Sequence, residues 1–138
     1  MILEKSCGAV IFTVVNGERL FLIEQMQKGH VSLCKGHVEG DETEHETACR
    51  EIREETALTV EFLDGFRECI KYSPYPGCVK TVVFFLARAL TRDVICQEEE
   101  VAGIKWLPIK QALAALTYES DRAILQKADA VLDAVSPD

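Results

Sequence analysis

The chain has 138 residues, of which 48% are hydrophobic and 28% are charged, and its formal net charge at pH 7 is −8. This composition predicts one globular domain, spanning residues 1–138, with a core that needs no disulfide or structural metal. The acidic balance argues against binding to nucleic acid polymers or anionic membranes, and no apolar run approaches the ~20 residues of a transmembrane helix. Because the N-terminus lacks a basic region followed by an apolar signal segment, we expect a cytoplasmic protein.

Six cysteines are present, without a C-x-x-C pair or a cysteine-dense framework. We therefore expect these thiols to be reduced and mostly buried. The three histidines do not bracket cysteines at ligand spacing, which argues against a zinc site. The cysteines are Cys7, Cys34, Cys49, Cys69, Cys78 and Cys96.

The first elements are two strands joined by a tight turn. Residues 6–15 form an apolar, β-branched run that ends at Asn16-Gly17, a dipeptide typical of hairpin turns. Residues 19–25 follow as the second strand. Because the first run is almost continuously apolar, we expect it to be covered on both faces.

Strands and helices alternate over the rest of the chain. The segment S-P-Y-P-G predicts a turn, so residues 72–80 should form a hairpin with an exposed tip. Pro108 is placed for the first turn of a helix that ends near Leu116, and a last amphipathic helix covers residues 119–135. The other predicted strands are residues 58–63, 66–72, 79–88 and 101–107. This alternation predicts an α/β sandwich.

The most informative stretch covers residues 34–58. We expect a loop at its start and then a helix that begins near Thr43, because Thr43 and Glu46 have the spacing of a capping box. Three carboxylates at positions i, i+3 and i+4 then share one side of the helix. They are Glu51, Glu54 and Glu55. Two carboxylates ~4 Å apart repel by about 4 kcal/mol at a surface-like dielectric, so this cluster predicts a divalent cation such as Mg²⁺; the alternative is a solvated acidic face.

The spacing of this stretch resembles the Nudix box. Gly36 is followed after five residues by Glu42, and after seven more by R-E-I-R-E-E-T-A-L, residues 50–58. The family has a glycine where this chain has Ala57, and alanine there costs about 1 kcal/mol or more unless the turn changes. The resemblance implies a mixed sheet between helical layers. It also implies hydrolysis of a nucleoside diphosphate linked to another group, with Mg²⁺ or Mn²⁺.

The same resemblance implies roles for residues of the box. Glu54 and Glu55 would be direct metal ligands, and Glu51 would be a ligand or the base that deprotonates the attacking water. Gly36 would offer its carbonyl to a metal. Arg50 would hold Glu51 or its neighbour through a charge-assisted bond. Which glutamate acts as the base varies across the family and stays open.

Many family members add a catalytic or metal-binding glutamate from a later loop. The acid cluster of Glu98, Glu99 and Glu100 is its source here, and our choice is Glu100, which lies six residues before Trp106. The alternative is a solvated charge run.

Residues outside the box resemble the asymmetric dinucleoside tetraphosphate hydrolases. The segment K-G-H-V-E-G, residues 35–40, is similar to a loop that usually reads P-K-G-H, with Cys34 in place of the proline. Residues 80–87, K-T-V-V-F-F-L-A, also resemble that subfamily, which has a histidine where this chain has Val101. The resemblance implies contacts to the substrate from five residues. Lys35, His37 and Lys80 would contact phosphates, and Tyr72 and Tyr118 would stack on an adenine.

The activity implied by this resemblance is hydrolysis of diadenosine tetraphosphate to ATP and AMP, by water attack on phosphorus. The protein would act as a monomer or homodimer on a small nucleoside polyphosphate. One alternative is a house-cleaning pyrophosphatase that acts on nucleoside triphosphates, including oxidised ones. A non-catalytic Nudix module that senses nucleotides is another, against which the intact carboxylate set argues.

Overall fold

The computed structural model describes residues 1–96 and 99–135 and has the predicted α/β sandwich architecture. The strands are β1 (Ile2–Val15), β2 (Glu18–Met26), β3 (Val31–Ser32), β4 (Cys34–His37), β5 (Val60–Phe62), β6 (Glu68–Tyr72), β7 (Cys78–Ala89) and β8 (Val101–Leu107). The helices are α1 (Glu44–Thr56), α2 (Ile109–Ala115) and α3 (Glu119–Val135). Within the described ranges, no helix is long and apolar enough to cross a bilayer.

The strands form one mixed sheet. Its main path is β3-β2-β1-β7-β5, while β4 pairs with β1, β6 with β7 and β8 with β2. Residues 2–12 of β1 run parallel to residues 78–88 of β7, and the other pairs are antiparallel. The two long central strands therefore carry the shorter strands from which the site is built.

Two apolar clusters, one on each face of the sheet, form the core. Helices α2 and α3 cover the larger cluster, to which β1 contributes Val10 and Phe12. Helix α1 covers the smaller cluster with Ala48 and Ile52, and Ile11 of β1 lies there. Because alternate residues of β1 enter opposite clusters, the prediction that this strand is covered on both faces is confirmed. Each fully buried side chain of this size contributes about 1.5–3 kcal/mol.

Most predicted elements are present close to their predicted bounds. The hairpin over residues 72–80 is formed by β6 and β7, and Tyr72 is the direct cross-strand partner of Lys80. Helix α3 covers residues 119–135 as predicted. Pro108 is the N-cap of α2, one position before the helix begins.

Two expectations were wrong. The loop predicted at the start of residues 34–58 is in part a strand, since Cys34–His37 pairs as β4 with Ser6 to Ala9 of β1. This pairing is a tertiary contact that overrides the low strand propensity of its lysine and glycine. The cysteines are also less buried than expected: Cys49 and Cys69 are exposed.

Candidate functional site

Local hydrogen bonds define both ends of helix α1. Thr43 Oγ1 accepts a bond from Glu46 N at 3.1 Å, and Glu46 Oε1 accepts one from Thr43 N at 2.8 Å, so the predicted capping box is present. At the other end Ala57 has φ 62°, and its N–H donates to Arg53 O at 2.9 Å. The helix therefore keeps a left-handed turn with alanine, at a cost of about 1–2 kcal/mol.

The three carboxylates of α1 differ in exposure. The side chain of Glu54 is 46% exposed and that of Glu51 is 13% exposed, whereas Glu55 is buried at 1%. Gly36 of β4 lies against Glu51, and a Cβ atom at position 36 would collide with the Glu51 carboxylate. Glycine is therefore needed where β4 passes beneath the helix, and it brings the β4 backbone next to the carboxylates.

Arg50 connects the loop before α1 to the helix. Its Nε and Nη2 donate to the two oxygens of Glu42 at 2.7 and 3.0 Å, which makes a bidentate pair. Its Nη1 donates to Glu51 Oε1 at 2.9 Å and to Glu54 at 3.3 Å. Nη2 also donates to the carbonyl of His37 at 2.8 Å. One guanidinium group thus orients two of the three helix carboxylates.

This network changes the protonation of its members. The hydrogen bonds from Arg50, followed by the bond from the Glu39 backbone, lower the pKa of Glu42 to about 2. The pKa of Arg50 is raised, chiefly by Glu42. Both groups are therefore charged at neutral pH, and Glu42 holds Arg50 in place without being part of the helix.

Glu55 lies in a buried group with Glu24 of β2 and Cys34. Burial raises the pKa of Glu55, and the neighbouring Glu24 raises it further. Burial likewise raises the pKa values of Glu24 and Cys34. The thiol of Cys34 is therefore not a reactive thiolate.

The acidic residues of this site fit a divalent cation. Glu55 Oε2 is buried and lacks a hydrogen-bond partner, which leaves a carboxylate oxygen available to a ligand. Glu51 and Glu54 lie on the same helix, and the backbone of Gly36 adjoins Glu51. Oxygen donors in this number are the ligands that hard divalent cations take in proteins.

A pocket of about 520 Å³ lies on the other side of β4. Lys35 and Lys80 line it together with three rings. The rings are those of His30, Tyr72 and Tyr118. Burial, followed by the charge of Lys35, lowers the pKa of Lys80. The structure thus brings together four of the five residues that the resemblance assigned to the substrate.

A second pocket, of about 290 Å³, adjoins the first. It shares His30, Lys35 and Lys80 with the first pocket. Its other lining residues include Gly36, His37, Glu99 and Glu100. Gly36 therefore borders both this pocket and the carboxylate helix. The predicted Glu100 lies in this pocket, while Glu98 lies outside the described residues.

Three residues of this region were not predicted from the sequence. Glu24 interrupts the apolar run of β2. A carboxylate inside an apolar strand could have been used to predict a buried acid. Asp121 is buried in the first turn of α3 and lines the aromatic pocket. His30 contacts Tyr118, with ring centroids 5.8 Å apart; only the tertiary structure places it there.

Comparison with known proteins agrees with this geometry. Residues 5–128 match the NUDIX domain. The bis(5'-nucleosyl)-tetraphosphatase (asymmetrical) of Rattus norvegicus is 33% identical over 135 residues, which cover 89% of this chain and 91% of the rat protein. MutT4 of Mycobacterium tuberculosis is 29% identical over 144 residues, and the match covers 98% of this chain but 58% of that protein. The crystal structure of a C. elegans Ap4A hydrolase binary complex matches with a TM-score of 0.87 at 28% identity, over 95% of this chain and 98% of that chain.

The family match covers the carboxylate helix, the strands beneath it and most of α3. The fold matches along almost the whole chain. Enzymes of this family generally use divalent metals, and Glu24, Cys34 and Glu55 form a group here that could hold a metal ion. This chain belongs to the Nudix family, as a hydrolase of nucleoside polyphosphates that resembles the Ap4A hydrolases.

Proposed function

We propose that the protein hydrolyses diadenosine tetraphosphate to ATP and AMP in the presence of Mg²⁺ or Mn²⁺. The observation that carries the proposal is the lysine pair shared by the two pockets. Among the ion pairs of residues 1–96 and 99–135, none includes Lys35 or Lys80. Two lysines that line both pockets and form no ion pair favour a polyphosphate chain as their ligand.

The two pockets support a substrate that carries one nucleoside at each end of the polyphosphate. In the larger pocket Tyr72 and Tyr118 are 46% and 52% exposed, so their rings are accessible to an adenine. Stacking of a base on an aromatic side chain contributes about 1–3 kcal/mol. Lys35, Lys80 and His37 contact the phosphates, and the smaller pocket receives the part of the substrate beyond them.

Hydrolysis requires the substrate phosphates to lie next to the carboxylates. This is possible at Gly36, which borders both the smaller pocket and the carboxylate helix. Glu51, Glu54 and Glu55, with the carbonyl of Gly36 and with Glu100, hold the cation, and one glutamate takes the proton of the attacking water. Arg50 orients Glu51 and Glu54. When bound, the cation neutralises phosphate charge and lowers the pKa of a bound water.

Product analysis tests the proposal. The purified protein is incubated with Mg²⁺ and diadenosine tetraphosphate, with dGTP in a parallel tube, and the products are separated by ion exchange. We expect equal amounts of ATP and AMP, formed about 10²–10³-fold more slowly by the Glu54→Gln variant. Glu61→Gln is the matched control, since Glu61 is an exposed glutamate of β5 paired with Arg88.

Two results would replace the proposal. Nucleoside monophosphate and pyrophosphate from dGTP, with the dinucleotide intact, would assign the chain to the house-cleaning pyrophosphatases. Nucleotide binding without turnover of either compound would assign it to the sensor modules.

A further inference from the structure

Asp121 is a buried acid of the larger pocket to which the proposed reaction gives no function. It lies in the first turn of α3, is 3% exposed and lines the pocket together with Tyr72 and Tyr118. The backbone of Leu33, which lies between β3 and β4, donates a hydrogen bond to its carboxylate. In the described part of the chain, no ion pair includes Asp121. A buried carboxylate held by a backbone donor can accept further hydrogen bonds from a ligand.

A structural role alone does not account for an acid at this position. Acidic side chains in the first turn of a helix are stabilising because they face the positive end of the helix dipole. Glu119, in the same turn of α3, provides such a charge from an exposed position. A buried carboxylate loses hydration, and in this pocket it also repels an anionic polyphosphate. We therefore expect Asp121 to bond directly to hydrogen-bond donors of the ligand.

The position of Asp121 favours the base of the substrate, and not the phosphates, as its partner. Lys35 and Lys80 line both pockets, which places the phosphates where the pockets adjoin. Of these two pockets, Asp121 lines the larger one, which holds the rings of Tyr72 and Tyr118. Every base has a π-face that can stack on an aromatic ring, so the two rings do not choose among bases. That choice depends on the polar groups of the pocket.

The neighbours of Asp121 favour its ionised form. Burial raises the pKa of Asp121, whereas the charge of Lys35 and the hydrogen bond from Leu33 act to lower it. The charges of His30 and Arg122 act in the same direction as that of Lys35. An ionised carboxylate only accepts hydrogen bonds, and it presents two oxygens side by side. The ligand edge that fits it carries two adjacent N–H donors.

Guanine has such an edge, and adenine does not. On the Watson–Crick edge of guanine, N1–H and the 2-amino group are neighbouring donors, while hypoxanthine keeps N1–H but lacks the 2-amino group. Adenine presents one donor, its 6-amino group, next to N1, whose lone pair would face the second carboxylate oxygen. Hydrogen bonds to an ionised group are about twice as strong as neutral ones. An ionised Asp121 therefore fits guanine better than adenine.

We propose that Asp121 determines the base specificity of the larger pocket by accepting hydrogen bonds from N1–H and the 2-amino group of a guanine stacked on Tyr72 and Tyr118. This rests on the proposed function in one respect, since it takes the larger pocket as a nucleoside site. Diadenosine tetraphosphate binds there through stacking and its phosphates, and a dinucleoside tetraphosphate with guanosine in this pocket binds more tightly. Guanosine polyphosphates are thus the preferred class of substrate.

Nucleotide binding without turnover tests the base preference. Calorimetric titrations of the wild-type chain with GTP, ITP and ATP are made in EDTA, so that no divalent cation is available for hydrolysis. We expect GTP to bind at least about tenfold more tightly than ATP, with ITP between them, because each lost hydrogen bond to a charged group weakens binding about tenfold or more. The assay needs no hydrolysis, so a failed product analysis leaves this preference standing, and the reverse also holds.

Asp121→Asn should reverse the preference. The carboxamide keeps an oxygen for the Leu33 N–H, and it offers one acceptor and one donor, which match the 6-amino group and N1 of adenine. We therefore expect ATP to bind this variant more tightly than GTP. Glu119→Gln is the matched control and should leave all three affinities unchanged, since Glu119 is exposed in the same turn. Circular dichroism checks folding, and if Asp121→Asn does not fold, the order of the three nucleotides in wild type decides.

Three results would overturn the proposal. The first is ATP binding to the wild type as tightly as GTP or more tightly. The second is a folded Asp121→Asn variant in which the affinities for GTP and ATP fall by the same factor, which would show that Asp121 only positions α3. The third is no binding of any of the three nucleotides to the folded wild type in EDTA.

Discussion

The carboxylate helix and the aromatic pocket face each other across β4, and they differ in how their side chains are held. On the helix, Arg50 is 16% exposed and makes bonds of 2.7–3.3 Å to three carboxylates and one carbonyl. In the pocket, Tyr72 and Tyr118 are about half exposed, and Lys35 and Lys80 form no ion pair with any described residue.

This contrast separates two functions. Groups held by several bonds are pre-organised, so they lose little freedom when a reaction begins. Exposed rings and unpaired lysines gain their partners only from a ligand, so their energy goes into binding. We therefore expect changes on the helix to lower kcat and changes in the pocket to raise KM.

The largest effect should come from Glu54→Gln. Loss of one electrostatic group from an active site typically costs about 10²–10³ in kcat. Because Glu54 is the most exposed of the three helix carboxylates, the Tm should change little. Steady-state kinetics and thermal unfolding of the same preparation measure both. A fall in Tm large enough to account for the lost activity would contradict the assignment of a catalytic function to the helix.

Arg50→Met should lower both activity and stability. Residues that orient ligands typically contribute 10–100-fold, so we expect a loss of about that size in kcat. The unfolding free energy should also fall, because Glu42 and Glu51 lose their hydrogen bonds from Arg50. Arg53→Met is the matched control, since Arg53 is exposed on the same helix and lies outside the network. Equal effects of the two variants would show that the network has no special role.

Tyr118→Leu should raise KM about tenfold, the equivalent of one lost stacking contact, with kcat within about twofold. Tyr118→Phe keeps the ring and should leave KM unchanged. Initial rates over a range of substrate concentration separate the two constants. If Tyr118→Leu instead lowers kcat alone, the pocket contributes to catalysis and not to substrate binding, which contradicts the proposed division of functions.

The pH dependence of stability should report the Arg50 network. The pKa of Glu42 is about 2 in the folded protein and about 4.3 in an unfolded chain. Its ionised form therefore stabilises the fold above about pH 4.3, and this contribution is lost as the pH falls toward 2. Denaturant unfolding between these pH values should show that the free energy of unfolding falls less steeply with decreasing pH in Glu42→Gln than in wild type. Parallel curves for the two proteins would exclude this linkage.

The smallest effect should come from Ala57→Gly. Removing the Cβ relieves the left-handed turn at φ 62°, which should add about 1 kcal/mol of stability and raise Tm by a few degrees. Activity should stay the same, because Ala57 lies beyond the carboxylates. Calorimetry checks the shift, and Ala123→Gly, in the interior of α3, should be destabilising instead.

Features that depend on neighbours in sequence were predictable. The capping box of Thr43 and Glu46 defined where α1 begins, and the turn between residues 72 and 80 placed a hairpin correctly. Both rest on hydrogen bonds or dihedral preferences within a few residues. The spacing of the box then identified the family, since its side chains share one side of one helix.

The sequence by itself thus determined most of the strands and helices, the carboxylate helix among them, and the family. Only the tertiary structure decided that Cys34–His37 forms a strand, because its partner lies near the start of β1. It alone placed Glu24 and Cys34 beside Glu55, and the rings of Tyr72 and Tyr118 in one pocket. These contacts join elements that are far apart along the chain, and their energies depend on burial and packing that local propensities do not contain.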